Sequence, residues 1–301
     1  MIPLSDLDIQ RRSIPFVTGA LIVTSVLVFA YQFTLDEFET FLFTYRFGAI
    51  PAELLGDSNL AQTYVVVGQS LRPVDVKSPI PNWATIFTSM FMHGGFLHLG
   101  GNMLYLWTFG KSIEDRYGHF AFAGLYVVSG VIAAVSQSLV DTDSMVPMVG
   151  ASGAVAGILG AYIVFYPLSR INTLIFMGLI FTIRVPAVVL LGFWAALQSF
   201  NGLASLGPEV ASGGVAYLAH LGGFAFGLVV TLIVLSPSAS RTLASKARQF
   251  RDSRATARAA PQLSEPQRWS SITCPNCGDN LLEFSDQLHR WNCRGCNLYF
   301  S

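Results

Sequence analysis

Charge is scarce in this chain: 12% of its 301 residues are Asp, Glu, Lys or Arg, against 52% hydrophobic. A soluble core of this length cannot hide that much apolar surface, so a mean hydropathy of +0.51 points to lipid as the solvent. Cysteine is sparser still, and all four copies lie between residues 274 and 296. No internal repeat is visible, and no cleavable leader is expected. The first apolar run, Ile14 to about Leu35, is too long for a signal h-region and lacks a small-residue cleavage site, so it reads as a retained span.

What is present is a series of apolar stretches. A hydrocarbon layer of roughly 30 Å takes about 20 helical residues. Six stretches qualify, at about 14–35, 84–108, 120–140, 150–168, 185–203 and 214–236. A shorter piece from Ile171 to Ile183, bounded by Arg170 and Arg184, is expected to pack as a re-entrant or interfacial segment and not as a seventh span. Six spans place Arg11, Arg12, Lys111, Arg116, Arg170, Arg184 and the cluster from Arg241 onward on one side, which the distribution of positive charge makes cytoplasmic. Both termini are then cytoplasmic, as in a plasma or inner membrane. Glu114 and Arg116 read as a solvated charge pair, with electrostatic bracing of the turn the lesser alternative; Arg184 reads as an interfacial anchor, and Trp83 as an interfacial aromatic or, second to that, a residue fixing the first loop.

Polar side chains within a bilayer cost several kcal/mol by most scales unless paired or wet, which makes them functional candidates. The second stretch carries His93, His98 and Asn102; the fourth opens with Gly150-Ala151-Ser152-Gly153; the sixth holds Ala219-His220-Leu221-Gly222-Gly223. His98 and Asn102 share a helix face, where they either stabilise a developing charge or hydrogen-bond neighbouring helices. His93 lies off that face and is expected to order the helix entrance. Ser152 and His220 begin spans that enter from the same outer side, which sets them at similar shallow depth. A serine hydroxyl needs a base, and neutral imidazole is the usual one near pH 7. No Asp or Glu lies in the body of any of these stretches, so the parsimonious catalyst is a Ser152–His220 dyad, with His98 and Asn102 as oxyanion donors.

These residues resemble the rhomboid intramembrane serine proteases over roughly residues 80–236. The matches are H-x-x-x-N at His98 and Asn102 with His93 upstream, G-x-S-G at Gly150 to Gly153, and A-H-x-x-G-x-x-x-G at Ala219, His220, Gly223 and Gly227. Phe109 to Gly118 resembles the family's cytoplasmic turn. The resemblance implies an all-α polytopic membrane fold with a six-transmembrane-helix core, Ser152 as nucleophile, His220 as general base, and His98 with Asn102 at the oxyanion. It also implies single-pass transmembrane protein substrates, cut near the outer end of their helix. Gly222, Gly223 and Gly227 are expected to face Gly153 and Gly157. In two places the chain departs from many members: Trp83-Ala84 stands in place of Trp-Arg, and Ala156 in place of an aromatic packed against the catalytic histidine.

Beyond Leu235 the composition turns to Ser, Ala, Arg, Gln and Pro, giving three expected regions: a membrane domain over 1–236, a basic linker over 237–271 and a small module over 272–301. In the last, Cys274-Pro-Asn-Cys277 and Cys293-Arg-Gly-Cys296 have the paired-knuckle spacing of a tetrahedral metal site. A reducing cytoplasm favours zinc over two disulfides, with iron a lesser alternative. The module resembles a small β zinc ribbon with a structural Zn2+ and no cofactor for catalysis. Arg290 and Arg294 either offset the thiolate charge or are surface residues, and His289 is expected on an exposed strand. A cytoplasmic partner is possible for it, and no clear nucleic acid signal is present. The competing functions are a pseudoprotease that binds transmembrane helices without cutting them, and a small transporter or channel.

Overall fold

The computed structural model describes residues 1–56, 62–67, 70–176, 180–204 and 215–235, and in the tail 274, 276–278, 282–285, 290–293, 295–296 and 299–300. The expected linker, Arg294 and His289 lie outside the described residues. Two compact units emerge, Met1–Ser236 and Pro237–Ser301.

In the first unit, helix α1 (Phe16–Thr34) is followed by α2 (Glu37–Phe47), which opens on a capping box. Asp36 Oδ1 accepts from Glu39 N at 2.7 Å, and Glu39 Oε2 accepts from Asp36 N at 3.1 Å. The short helix α3 (Pro51–Leu54), the hairpin β2 (Gln62–Val67) and β3 (Ser70–Asp75), and helix α4 (Asn82–Ser89) complete the first connection.

The second expected span, 84–108, is not one helix. After α4 the chain turns through Met90–Gly95 and starts a new helix, α5 (Phe96–Tyr105). An apolar run continues across this break, but Gly94 and Gly95 carry a low helix propensity at the turn. From Phe96 the helical path passes through a π-turn at Leu106–Gly110 into α6 (Lys111–Tyr117). That path is roughly 33 Å long at 1.5 Å per residue.

Helix α7 (His119–Ser138) leads to α8 (Ser152–Phe165), then to α9 (Ala187–Ala204) and α10 (Tyr217–Leu235). Among the described residues, α1, α7, α9 and α10 are each long and apolar enough to cross a membrane, and α8 is a shorter apolar helix. Helix α8 is the centre of the unit, with every residue from Gly153 to Tyr162 buried. Its seam with α10 is backbone to backbone: a methyl group at Gly223 or Gly227 would overlap the main chain of Gly153 or Gly157. Gly222 faces Ser136 of α7 instead, so only two of the three expected α10 glycines meet α8. Close approach through small residues is how helices gain packing where lipid removes the hydrophobic drive.

The piece from Ile171 to Ile183 is a β-hairpin, of β4 (Arg170–Phe176) and β5 (Ile180–Pro186). The N-terminal strand β1 (Ile2–Asp6) pairs antiparallel with β4, in the sheet order β1-β4-β5. Burial alternates along Ile171, Thr173 and Ile175, the period of a strand with one covered face. Below this sheet, Asp6 accepts from Ser112 Oγ at 2.9 Å and Tyr162 OH at 2.8 Å.

Glu114 corrects the expectation of a solvated pair. It is fully buried, and its carboxylate accepts from Val17 N, Thr18 N and Thr18 Oγ1 at 2.9, 2.8 and 2.6 Å, with His119 Nδ1 at 2.6 Å. The carboxylate thereby caps the first turn of α1, which has no side-chain cap of its own. Arg116 instead lies over the ring of Phe165.

In the second unit, β6 (Leu282–Ser285), β7 (Arg290–Cys293) and β8 (Tyr299–Phe300) form an antiparallel sheet in that order. Its four cysteine sulfurs lie within 4.8 Å of one another.

Candidate active site

The loop before α8 is tied down on both sides. Ala49 and Met148 exchange two backbone hydrogen bonds, at 3.1 and 2.8 Å, and Gly150 N donates to Ser89 O at 2.8 Å. Gly150 has φ of 122°, a conformation that L side chains rarely adopt. A Cβ there would also fall 2.7 Å from His98 Nε2 and 3.7 Å from Asn102 Nδ2. Glycine at this position therefore lets the chain turn into α8 directly beneath two polar side chains of α5.

Ser152 is the first residue of α8, and His220 lies in the first turn of α10. The α8–α10 glycine seam brings them together: His220 Nε2 is 2.8 Å from Ser152 Oγ. Gln137 of α7 supports the start of α10 by accepting from Ala219 N at 3.3 Å. This is the spacing of an alcohol and an imidazole that can take its proton.

His98 and Asn102, one turn apart on α5, approach Gly150 together. Gly94 N donates to His98 Nδ1 at 3.3 Å, so that nitrogen is an acceptor and Nε2 carries the ring proton. Asn102 is buried, and its Nδ2 has no hydrogen-bond partner among the described residues. A buried amide donor without an acceptor costs free energy unless something else takes its hydrogen bond. His93 is buried at the entrance: its N–H donates to Gln32 Oε1 at 3.1 Å and its ring lies edge-on to His98. Its ring Nδ1 lies 3.2 Å from Phe91 O within the turn.

Sequence reasoning missed two neighbours of His220, both on α9. Gln198 Oε1 is 2.8 Å from His220 Nδ1, and the indole of Trp194 packs beside the imidazole with ring centroids 6.1 Å apart at 35°. The indole also contacts Phe224 of α10. Ala156 is buried and supplies no ring, and Trp194 supports the imidazole from a different helix. The one available signal was the Trp194/Gln198 spacing, which sets both on one face of α9.

Ser152, His220, His98, Asn102 and Trp194 border one open cavity of about 790 Å³, walled by apolar Leu97, Val155 and Leu159 and edged by Gln137, Asp141 and Ser144. It is large enough to hold several residues of an extended peptide segment with its backbone over Ser152.

The tail holds a second candidate centre. Cys274 and Cys296 sulfurs are 3.6 Å apart and Cys277 and Cys293 sulfurs 3.5 Å apart, and no disulfide links them. Four thiolates at about 2.3 Å from one metal in a tetrahedron place their sulfurs about 3.8 Å apart, so the set fits a four-coordinate ion. Burial raises the Cys274 thiol, and hydrogen bonds from the backbone and neighbouring thiols outweigh it and bring the group down to about 7.

Residues 81–237 match the rhomboid domain. The chain is 32% identical over 157 residues to Rhomboid protein 1, mitochondrial, of Saccharomyces cerevisiae, covering 51% of this chain and 42% of that protein. It is 30% identical over 187 residues to Rhomboid protease GluP of Bacillus subtilis, covering 60% and 35%. To Rhomboid protease AarA of Providencia stuartii it is 31% identical over 164 residues, covering 50% and 56%. Each match thus spans about half or less of the relative's length. With a domain match over more than half of its residues, and with His98, Asn102, Ser152 and His220 gathered at one cavity, the chain belongs to the rhomboid family.

Proposed function

We propose that this protein is an intramembrane serine endopeptidase. The observation that carries the reading is the 2.8 Å approach of His220 Nε2 to Ser152 Oγ, beneath donors of His98 and Asn102 that converge on Gly150. Ser152 Oγ attacks a peptide carbonyl carbon as its proton passes to His220 Nε2. The carbonyl oxygen becomes an oxyanion and accepts from Asn102 Nδ2, His98 Nε2 and the N–H of Ser152, which at the first position of α8 has no acceptor within its own helix. Collapse breaks the C–N bond, the imidazolium gives its proton to the departing amine, and an acyl-Ser152 ester remains. Water, deprotonated by His220, then hydrolyses that ester.

Single-pass transmembrane proteins are the substrate class. Their helix must unwind before a carbonyl can be attacked, and an extended strand suits the cavity. Six spans follow from α1, the α5–α6 path, α7, α8, α9 and α10, with both termini on the cytoplasmic side of a plasma or inner membrane. The Arg-bearing elements support that orientation. Arg12 N donates to Asp115 of α6, and Arg170 pairs with Asp8, so the N-terminal segment, α6 and the β-hairpin occupy one end. The four tail cysteines hold a structural Zn2+, which contributes folding free energy to a module too small for an adequate core. The module serves as a cytoplasmic recruitment or regulatory domain. A pseudoprotease reading is disfavoured by the intact serine–histidine pair.

Labelling of the purified protein with a fluorophosphonate tests the reading. The wild type is expected to react and Ser152→Ala not to. In cleavage of a transmembrane substrate, Ser152→Ala and His220→Ala are each expected at background, with the double variant scarcely worse than either. Full activity in either single variant would overturn the mechanism. For the tail, Cys274→Ser with Cys277→Ser should release about one zinc per chain and leave cleavage in detergent intact.

A further inference from the structure

We propose that Gln198 is a positioning residue for the serine–histidine pair, holding His220 in the one tautomer that can accept the Ser152 proton. The inference rests on the reading of Ser152 and His220 as the reacting groups. If Nε2 is to accept from Ser152 Oγ, the ring proton must sit on Nδ1, and the Nδ1–H of this half-buried imidazole needs an acceptor. The structure supplies one: Gln198 Oε1, at 2.8 Å. The direction of this bond is set by the ring, since an Nδ1–H can meet only the amide oxygen. Trp194, one turn earlier on α9, packs beside the same imidazole and restricts its rotation. Helix α9 thus fixes the proton position through Gln198 and the ring orientation through Trp194.

The choice of an amide has a chemical consequence. A carboxylate in this place would both orient the ring and stabilise its imidazolium, but burying its charge within the membrane costs several kcal/mol by most scales. Glutamine provides the acceptor without the charge. It orients the base without placing a second charge beside it. Gln198 never touches substrate, so its loss is expected in kcat and not in KM.

Cleavage kinetics of full-length protein in detergent, across pH, test this with Gln198→Leu and Gln198→Glu beside Ser152→Ala. Gln198→Leu should lower kcat roughly 10- to 100-fold at unchanged KM, less than the ~10⁴-fold seen when a wrong tautomer disables a full triad. Gln198→Glu should recover most of that loss, and its acid limb should move to higher pH because a neighbouring carboxylate favours the imidazolium. Wild-type kcat in Gln198→Leu, or a loss that Gln198→Glu neither restores nor accompanies with a shifted acid limb, overturns the proposal. Should the glutamate variant fail to fold, imidazole 15N shifts of the wild type decide the matter. A single Nδ1–H tautomer at His220, assigned by its disappearance in His220→Ala, supports the proposal; a mixture overturns it. Cleavage surviving in Ser152→Ala would instead sink the serine–histidine reading itself.

Discussion

The membrane unit carries buried polar groups at both ends, and the two sets are built on opposite terms. At the end holding the termini of β1 and α6, Glu114 accepts four hydrogen bonds and Asp6 accepts from Ser112, Tyr162 and Ser169. Those acids are satisfied, and they fasten β1, α1 and α6 to one another. At the end holding Ser152, Asn102 Nδ2 is buried without a partner among the described residues, and His98 presents Nε2–H toward the same spot. Polar burial that is paired reads as scaffold, whereas polar donors held ready in an open cavity read as chemistry.

The sharpest way to break this comparison is to remove groups from each end and measure both activity and stability. Ser152→Ala should bring cleavage to background, the largest change expected, while the thermal midpoint in detergent stays near wild type. Among the described residues the side chain gives up one hydrogen bond, to His220. A large fall in midpoint would mean that the pair is structural.

Asn102→Ala should cost about 10² in kcat with little change in KM, because the oxyanion exists only in the transition state. His98 and the Ser152 N–H remain, which puts the effect at the low end for a lost oxyanion donor. The same variant should be as stable as wild type or more so, since it deletes a donor that has no partner among the described residues. Lost stability at unchanged kcat would move Asn102 to the scaffold.

Glu114→Ala should behave the other way. It strips the first turn of α1 of its acceptor and leaves the N–H groups of Val17 and Thr18 buried, at a cost of roughly 3 kcal/mol. The midpoint should fall by several degrees, while kcat of the remaining folded protein holds. Equal loss of kcat at a temperature where the variant is folded would show that the two ends are coupled.

The two ends also differ in how far they were legible. Ser152, His220, His98 and Asn102 could be read from the chain because a bilayer makes any polar residue in an apolar run conspicuous. Gln198 escaped because it stands in the polar end of its run, beside Ser199 and Asn201, where a polar residue carries no surprise. The role of Glu114 depends on Thr18, ninety-six residues away, and no local pattern announces it. The break between α4 and α5 was marked only by His93, Gly94 and Gly95, set between apolar residues on both sides. For β4 and β5, length and flanking arginines excluded a span; only the alternation of buried Ile171, Thr173 and Ile175 marks the strands.

The smallest effect expected lies at the edge of the scaffold, where β1 gives way to the segment before α1. Asp8 bonds Arg170 through its backbone N and its guanidinium, at 2.8 to 3.2 Å, and these bonds hold the Asp8 carboxyl below its usual value. A folded-state pKa below the unfolded one means that the contribution is complete above the unfolded value. It is lost as pH falls through the folded one, so the window opens below about pH 4. Both partners are partly exposed, and a surface pair of this kind adds little to global stability. The consequence is local. Below that pH, amide exchange in Ile2–Asp6 should quicken relative to β4–β5 pairing, once intrinsic rates are corrected for pH. Asp8→Asn should show the quickened exchange at neutral pH and little further change on acidification. Protection of β1 that is indifferent to both acid and Asp8→Asn would remove the Asp8–Arg170 pair from its anchorage and leave the β1–β4 ladder and the Asp6 bonds to Ser112, Tyr162 and Ser169 to hold it.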